Sequence, residues 1–264
     1  MDVYRGKTVW VTGASSGIGE ALVHALARQG ARVILSARRL DALERVRAAA
    51  GLNETQGVCV PLDLGQPEGL TEVVRQVLDH VGRIDILINN GGISQRSRAL
   101  ETDLSVVRQL LTTNFLGTVA LTQALLPHWL ARGQGQVVVV SSLVGKFGTP
   151  LRSAYSASKH ALHGYFDSLR AELPVGVGVT LVCPGFIRTH VSVNALVADG
   201  SAQGTMDRAQ AEGMPAEVCA EKLLRAVARR RNEVYIGGRE VLGVQLKRFF
   251  PAIFARIVRR ARVT

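Results

Sequence analysis

The feature that most constrains this chain is an alternation. Apolar runs of strand length recur at 7–12, 32–36, 56–61, 84–88, 135–141, 177–183 and 232–236. Between them lie helix-period segments at about 17–29, 39–49, 67–81, 103–131, 153–173 and 215–230. Runs such as Val137–Val140 are apolar at consecutive positions, so both faces of each strand must be covered. Strand and helix in strict alternation satisfy that demand as an α/β, doubly wound parallel sheet of about seven strands, with helices on both faces. No linker, repeat or low-complexity run divides the 264 residues, which reads as a single domain over 1–264.

Ligands of such sheets sit beyond the carboxyl ends of the strands, so the residues just after each run carry the functional information. After the first run comes "TGASSGIGEAL", a glycine loop opening into a helix. It does not match the G-x-G-x-x-G dinucleotide fingerprint. It does meet the physical requirement, which is a strand, a backbone able to approach a pyrophosphate, and helix amides facing the anion. An ordinary glycine-rich turn has the same composition. After the second run, Ala31 to Leu40 contains no Asp or Glu, while Arg38 and Arg39 are adjacent. An NAD site would place an acid there for the ribose 2′-hydroxyl, whereas guanidinium groups suit the 2′-phosphate of NADP. After the third run Asp63 stands where it can accept from an adenine amino group, or cap a helix. After the fourth, Asn90 and Gly91 bring backbone towards a ribose, or simply form a turn.

Ser142 follows the fifth run, and "YSASK" begins thirteen residues later. With four Tyr and five Lys, chance gives roughly 0.08 Tyr–Lys pairs at this spacing. On a helix Tyr155 and Lys159 stack on one face, about 6 Å apart along the axis. An ammonium there favours the phenolate, lowers the Tyr155 pKa and makes it a usable acid or base.

These motifs, with "INNGG", "TTNFLGT" and "PGFIRT", resemble the short-chain dehydrogenase/reductase family of single-domain length, in the family's order and over essentially the whole chain. "NNGGISQRS", "RSAYSASKHAL" and "VSVNALVADGS" are similar to the member-7 dehydrogenase/reductase group and, more distantly, to the 11β-hydroxysteroid dehydrogenases. The resemblance implies a Rossmann fold and a catalytic tetrad of Asn114, Ser142, Tyr155 and Lys159. It implies NADP held by Gly13, Ser15, Ser16, Gly17, Ile18 and Gly19, then by Arg38, Arg39, Asp63, Leu64, Asn90 and Gly91. Tyr155 and Lys159 would reach the nicotinamide ribose, with Pro184, Gly185, Ile187 and Thr189 framing the ring. The implied reaction is hydride transfer between nicotinamide and a carbonyl or secondary alcohol. The family's pairing of long helices implies a homodimer or homotetramer. Leu110, Phe115 and Phe166 serve equally as interface or core.

Three other classes fit part of the chain. An NADP-binding redox sensor has no need of Ser142, Tyr155 and Lys159 together. A nucleotide-sugar epimerase or dehydratase needs a substrate region larger than the residues after Pro184 provide. A basic membrane- or nucleic-acid-binding module accounts only for the tail. We assign no metal ligands and no nucleic-acid partner, because the net charge of +11 is concentrated: residues 225–264 alone carry +9. Cys59, Cys183 and Cys219 read as reduced core residues, and the N-terminus reaches the first strand too soon for a signal or a span, so we expect a cytoplasmic protein. Residues 186–214, with Val191, Leu196 and Met206, read as a substrate lid suited to a bulky, partly apolar ligand. Residues 241–264 form a basic amphipathic tail. Its apolar stripe of Leu242, Leu246, Phe249 or Phe250, Ile253 and Ile257 either packs over the cleft or at a subunit interface, or enters a membrane surface while Lys247, Arg248, Arg256, Arg259, Arg260 and Arg262 meet anionic lipid. Pro251 is expected to start a second short helix within it.

Overall fold

The computed structural model describes residues 3–261. Seven strands form one parallel sheet: β1 (Thr8–Thr12), β2 (Arg32–Ala37), β3 (Gly57–Pro61), β4 (Ile86–Asn89), β5 (Gly135–Val140), β6 (Val177–Pro184) and β9 (Glu233–Ile236). Their order is β3-β2-β1-β4-β5-β6-β9, so the chain reverses direction across the sheet at the β1/β4 boundary. The alternation within β1 shows why both faces must be covered. Val9 and Val11 face a core built with Leu22, Leu26 and Leu223, from α1 (Gly17–Arg28) and α8 (Ala216–Ala228). Trp10 faces the opposite core, with Leu87, Val74, Leu125 and Phe166. The elements there are α3 (Leu70–Val81), α5 (Gly117–Arg132) and α6 (Ser153–Glu172). Helix α2 (Leu40–Ala49) sits by β2 and β3. Cys183 and Cys219 are buried, Cys59 is partly so, and all three are free thiols.

Three segments complete the fold around the strand ends, and the first of them differs in detail from the sequence expectation. The helix expected at 103–131 is broken by a π-turn: α4 (Leu104–Leu111) passes through Thr112–Leu116 into α5. Asn114 lies in that turn, its side chain accepting from the Ile93 amide at 2.8 Å and donating to the Ile93 carbonyl at 2.9 Å. The extra residue lets the side chain reach back to the loop after β4, and Gly117 follows because a Cβ there would lie against the Leu64 carbonyl. Leu104–Arg132 is long and apolar enough to cross a membrane by composition, yet Leu110, Leu121, Leu125 and Trp129 are fully buried in the chain's own cores. Leu110 and Phe166, candidates for a subunit interface, are likewise core.

The second segment, 186–214, is tied down along its length. Strand β7 (Ile187–Arg188) pairs with β8 (Met214–Pro215), α7 (Arg208–Ala211) lies between them, and Leu196 bridges to Gln95. The third is the tail, which folds as α9 (Leu242–Phe249) and α10 (Pro251–Val258) with Pro251 in the first turn of the second helix. Val244 and Phe254 anchor the pair to Leu143, Val144, Phe147 and Cys183, with the Phe147 and Phe254 rings 5.0 Å apart. Arg262 lies outside the described residues.

Helix α6 carries Tyr155 and Lys159, and its anchor in the core is the fully buried Phe166, packed edge-on against Tyr165 at 5.1 Å. Phe166→Ala is expected to cost roughly 3–5 kcal/mol, as truncation of a buried aromatic side chain does. Urea unfolding checks this, and a loss under 1 kcal/mol would mean that α6 is not held by this contact.

Candidate active site

One cavity of about 1890 Å³ runs along the carboxyl ends of the strands, from β2 and β3 past α6 to the tail. Ligand pockets are typically roughly 300–1,000 Å³, so this one has room for two large ligands side by side. Its first half is built around the β1/α1 loop, where Gly13, Ser15, Ser16, Gly17 and Ile18 line the wall. Gly13 and Gly17 have φ of +65° and +58°, and a Cβ on Gly13 would stand 2.8 Å from the Gly91 Cα. Gly19 does not reach the cavity; it packs under the loop, where a Cβ would collide with the Gly13 carbonyl. Such a bare backbone cradle at the start of a twelve-residue helix fits the pyrophosphate of a dinucleotide.

The loop is held from the neighbouring strand. Thr12 Oγ1 accepts from the amides of Asn90 and Gly91, both at 3.0 Å, and Asn90 Nδ2 donates to the Thr12 carbonyl at 3.0 Å. Asn90 thus fixes the glycine turn as well as lining the wall beside Gly91. At the far edge, Arg38 and Arg39 line the cavity as exposed side chains, and Arg45, one turn into α2, joins them. The sequence reading missed Arg45, although its spacing from Arg38 along a helix start would have brought it in. Asp63 and Leu64 line the same region, and the Asp63 carboxylate accepts from the Gly65 amide at 2.8 Å in a local turn.

The second half contains Ser142, Tyr155 and Lys159, with Pro184, Gly185, Ile187 and Thr189 on the facing wall. Ser142 lies two residues beyond β5, and its hydroxyl accepts from Val144 N at 3.3 Å and donates to the Pro184 carbonyl at 3.3 Å. Lys159 Nζ donates to the Val140 carbonyl at 2.9 Å and lies 5.8 Å from the Tyr155 ring centroid. Burial lowers Lys159 to a pKa of about 8. Asn114 does not line the cavity; it backs the wall, where Nδ2 donates to Ser158 Oγ at 3.0 Å.

The electrostatics of Tyr155 differ from the sequence expectation. Burial raises its pKa, and the influences that favour the phenolate are Arg152, the Ser142 hydrogen bond and Arg96. The lowering assigned to Lys159 comes from those groups because Lys159 is itself desolvated and committed to Val140. Arg96 and Arg152 belong to a buried cluster: Arg96 Nε and Nη2 donate to Asp207 Oδ2 at 2.7 and 2.5 Å, and an Arg152 guanidinium nitrogen lies 3.5 Å from the same oxygen. Two cations thus approach one carboxylate, and both guanidinium groups line the cavity wall near Tyr155. Burial and the neighbouring Arg96 lower Arg152 itself to about 10.

A further contact places Tyr155 on its helix. Gln95, fully buried, accepts the Ala154 and Tyr155 amides at 2.8 and 3.2 Å through one side-chain oxygen, and its nitrogen donates to Ser97 and Thr102. It satisfies first-turn amides of α6 that the helix's own residues leave open. Gln95, Arg96 and Arg152 stand within the stretches "NNGGISQRS" and "RSAYSASKHAL", yet the sequence reading assigned none of them a role, and Asp207 stands in no motif.

Comparison with known proteins agrees with this geometry. The short chain dehydrogenase profile matches residues 7–198. The chain belongs to that family. It is 46% identical over 238 residues to a dehydrogenase/reductase SDR family protein 7-like of Anopheles gambiae, covering 88% of this chain and 75% of that one. It is 42% identical to dehydrogenase/reductase SDR family member 7 of Homo sapiens, covering 86% and 69%. Among solved structures, a short chain dehydrogenase from Burkholderia cenocepacia in complex with NADP superposes with a TM-score of 0.80 at 27% identity, over 98% of this chain and 99% of that one. An enzyme of Burkholderia phymatum in complex with NAD reaches 0.84 at 22% identity, over 96% of each, a likeness of fold. The protein is therefore a member of an oxidoreductase family whose fold binds a nicotinamide dinucleotide.

Because a cation near Tyr155 favours its phenolate, removing one raises its pKa. Arg152→Met is expected to move the alkaline-rising limb of the pH–rate profile for alcohol oxidation, which needs the phenolate as base, to higher pH. A profile unchanged in position, whatever its height, would show that Arg152 does not act on Tyr155.

Proposed function

We propose that this protein is an NADP(H)-dependent oxidoreductase that interconverts a bulky, partly apolar carbonyl compound and its alcohol. The observation that carries the cofactor choice is the edge of the cavity at β2, where Arg38, Arg39 and Arg45 gather and Ala31 to Leu40 contains no acid. Three guanidinium groups there favour a 2′-phosphate, which a ribose 2′-hydroxyl does not offer. When bound, the nicotinamide ring supplies or accepts the hydride.

The protein's own groups do the rest. Tyr155 holds the proton at its phenolic oxygen and gives it to the substrate carbonyl oxygen, or takes it back in the reverse direction. Ser142 donates to that oxygen and fixes its position relative to Tyr155. Lys159 holds the nicotinamide ribose. The Asn114 carbonyl accepts from Thr118 Oγ1 at 2.9 Å and keeps a second lone pair for a water that restores the Tyr155 proton. Phe147, Leu143, Leu246 and Phe254, which line the cavity beyond Tyr155, supply the apolar wall that accounts for a bulky substrate. A redox sensor would leave this constellation without use.

Two substitutions test the reading. Arg38→Ala is expected to raise the KM for NADPH by roughly ten- to a hundredfold, the loss of one charged hydrogen bond, and to leave that for NADH within about twofold. Equal effects on both would remove Arg38 from 2′-phosphate recognition. Tyr155→Phe keeps the ring and removes the proton, so turnover of a carbonyl panel should fall by at least roughly a hundredfold while NADPH binding, read by fluorescence, persists. Activity retained in that variant would assign the acid to another group.

A further inference from the structure

The tail helices present an arrangement that the reaction does not require. Val244 and Phe254 seat them firmly on the body of the protein, yet other apolar side chains on the same helices face outward: Leu242 is 68% exposed, Phe249 64%, Phe250 56%, Ile253 48% and Ile257 53%. Leu242, Phe249, Phe250 and Ile257 also line the cavity, so these exposed groups form its mouth. Apolar exposure concentrated at one opening, on a segment already anchored, marks a contact surface.

The charges around the mouth say what it contacts. Lys247, Arg248, Arg256, Arg259 and Arg260 are all exposed, and none is among the ion pairs of the described residues. On α10, Ile253, Arg256 and Ile257 fall at steps of three and four and so share one face, which interleaves apolar and cationic groups, and Arg260 follows in the turn after the helix. No acid follows Glu240 in the sequence. A second copy laid on this face would bring two cationic rims together, a repulsive arrangement. An anionic bilayer instead offers hydrocarbon for the apolar groups and negative headgroups for the rim.

We propose that α9 and α10 form a docking face for an anionic lipid bilayer, with the cavity mouth resting on the membrane so that an apolar substrate passes from lipid into the cavity. Phe249, Phe250, Ile253 and Ile257 enter the headgroup region, and the five cations stay at the level of the phosphates. The docking surface is independent of cofactor choice. The delivery of substrate rests on the oxidoreductase reading above.

The test uses the full chain and vesicles of phosphatidylcholine with phosphatidylserine, against vesicles of phosphatidylcholine alone. The intact protein should co-sediment with the first at low salt, lose that binding as salt rises, and bind the second weakly. Each cation near an anionic surface contributes about 1 kcal/mol, so the triple variant Lys247→Glu, Arg256→Glu, Arg260→Glu should bind at least roughly a hundredfold more weakly. These three side chains lie outside the cavity lining, so turnover of a small water-soluble carbonyl should be unchanged, which also shows that the variant folds. Ile253→Ser, likewise outside the lining, should weaken vesicle binding without altering the salt dependence. Absence of sedimentation by the intact protein at low salt would overturn the proposal, as would binding that survives both variants. A dimer mass in solution that Ile253→Ser converts to monomer would overturn it too, by giving the face to a second copy. Sedimentation needs no turnover, so failure of the oxidoreductase reading would show in the carbonyl assay and leave the vesicle result standing.

Discussion

The pairing of β1 with β4 is the constraint on which the site depends. With β2 on its other side, β1 sits where the sheet turns from building outward in one direction to building outward in the other, and the loops that leave β1 and β4 diverge over the strand ends. A crevice opens there as a matter of topology. The hydrogen bonds among Thr12, Asn90 and Gly91 keep its two banks at a fixed separation, and the glycines at 13 and 19 make that separation sterically possible. Loss of the register would deny the cofactor cradle its shape before any contact to the cofactor were lost.

A second constraint links the crevice to the segment above it. Arg96 follows β4, Arg152 opens α6, and Asp207 belongs to the long stretch between β7 and β8. Their meeting gathers three regions far apart in sequence into one charged cluster that is almost wholly buried. Buried ion pairs are weak sources of net stability, since desolvation offsets much of the attraction, but loss of one partner strands the others at a cost of roughly 3–5 kcal/mol. The cluster therefore fixes geometry more than it adds stability. Its two guanidinium groups also act on Tyr155, so one arrangement both positions the covering segment and biases that phenol. This coupling explains how a desolvated Lys159 can stand beside Tyr155 without being the group that most favours its phenolate.

Much of this was legible in the sequence. The strands follow from apolar runs, which are contiguous because both faces are buried, and the helices follow from their period, so the sheet and its helix layers could be read off residue by residue. Ser142, Tyr155 and Lys159 were legible because a strand end and a helical spacing bring them together locally. What escaped reading has a common cause. Gln95 and Arg96 act on residues some sixty and a hundred positions away, and polar residues after a strand carry no local sign of such a partner. The π-turn at Thr112–Leu116 escaped for the same reason: it is stabilised by the contacts of Asn114 with Ile93 and Ser158, and nothing in the helical period foretells it. Local pattern determines elements, whereas non-local polar contacts determine how the site is tuned.

The cavity is graded along its length, and that gradation orders the chemistry. Its β2 edge is cationic and solvent-exposed, where Arg38, Arg39 and Arg45 stand; its centre is polar and enclosed around Ser142 and Tyr155; its far end is apolar and opens between Leu242, Phe249, Phe250 and Ile257. A dinucleotide is anionic over most of its length and enters against the cationic edge, where long-range attraction helps its capture. On the proposed reading, an apolar carbonyl compound would gain nothing there and would enter at the apolar end, where burial of hydrocarbon at roughly 25 cal/mol per Å² provides the driving force. On that reading the two ligands would meet beside Tyr155, where low dielectric strengthens the electrostatic control of proton transfer.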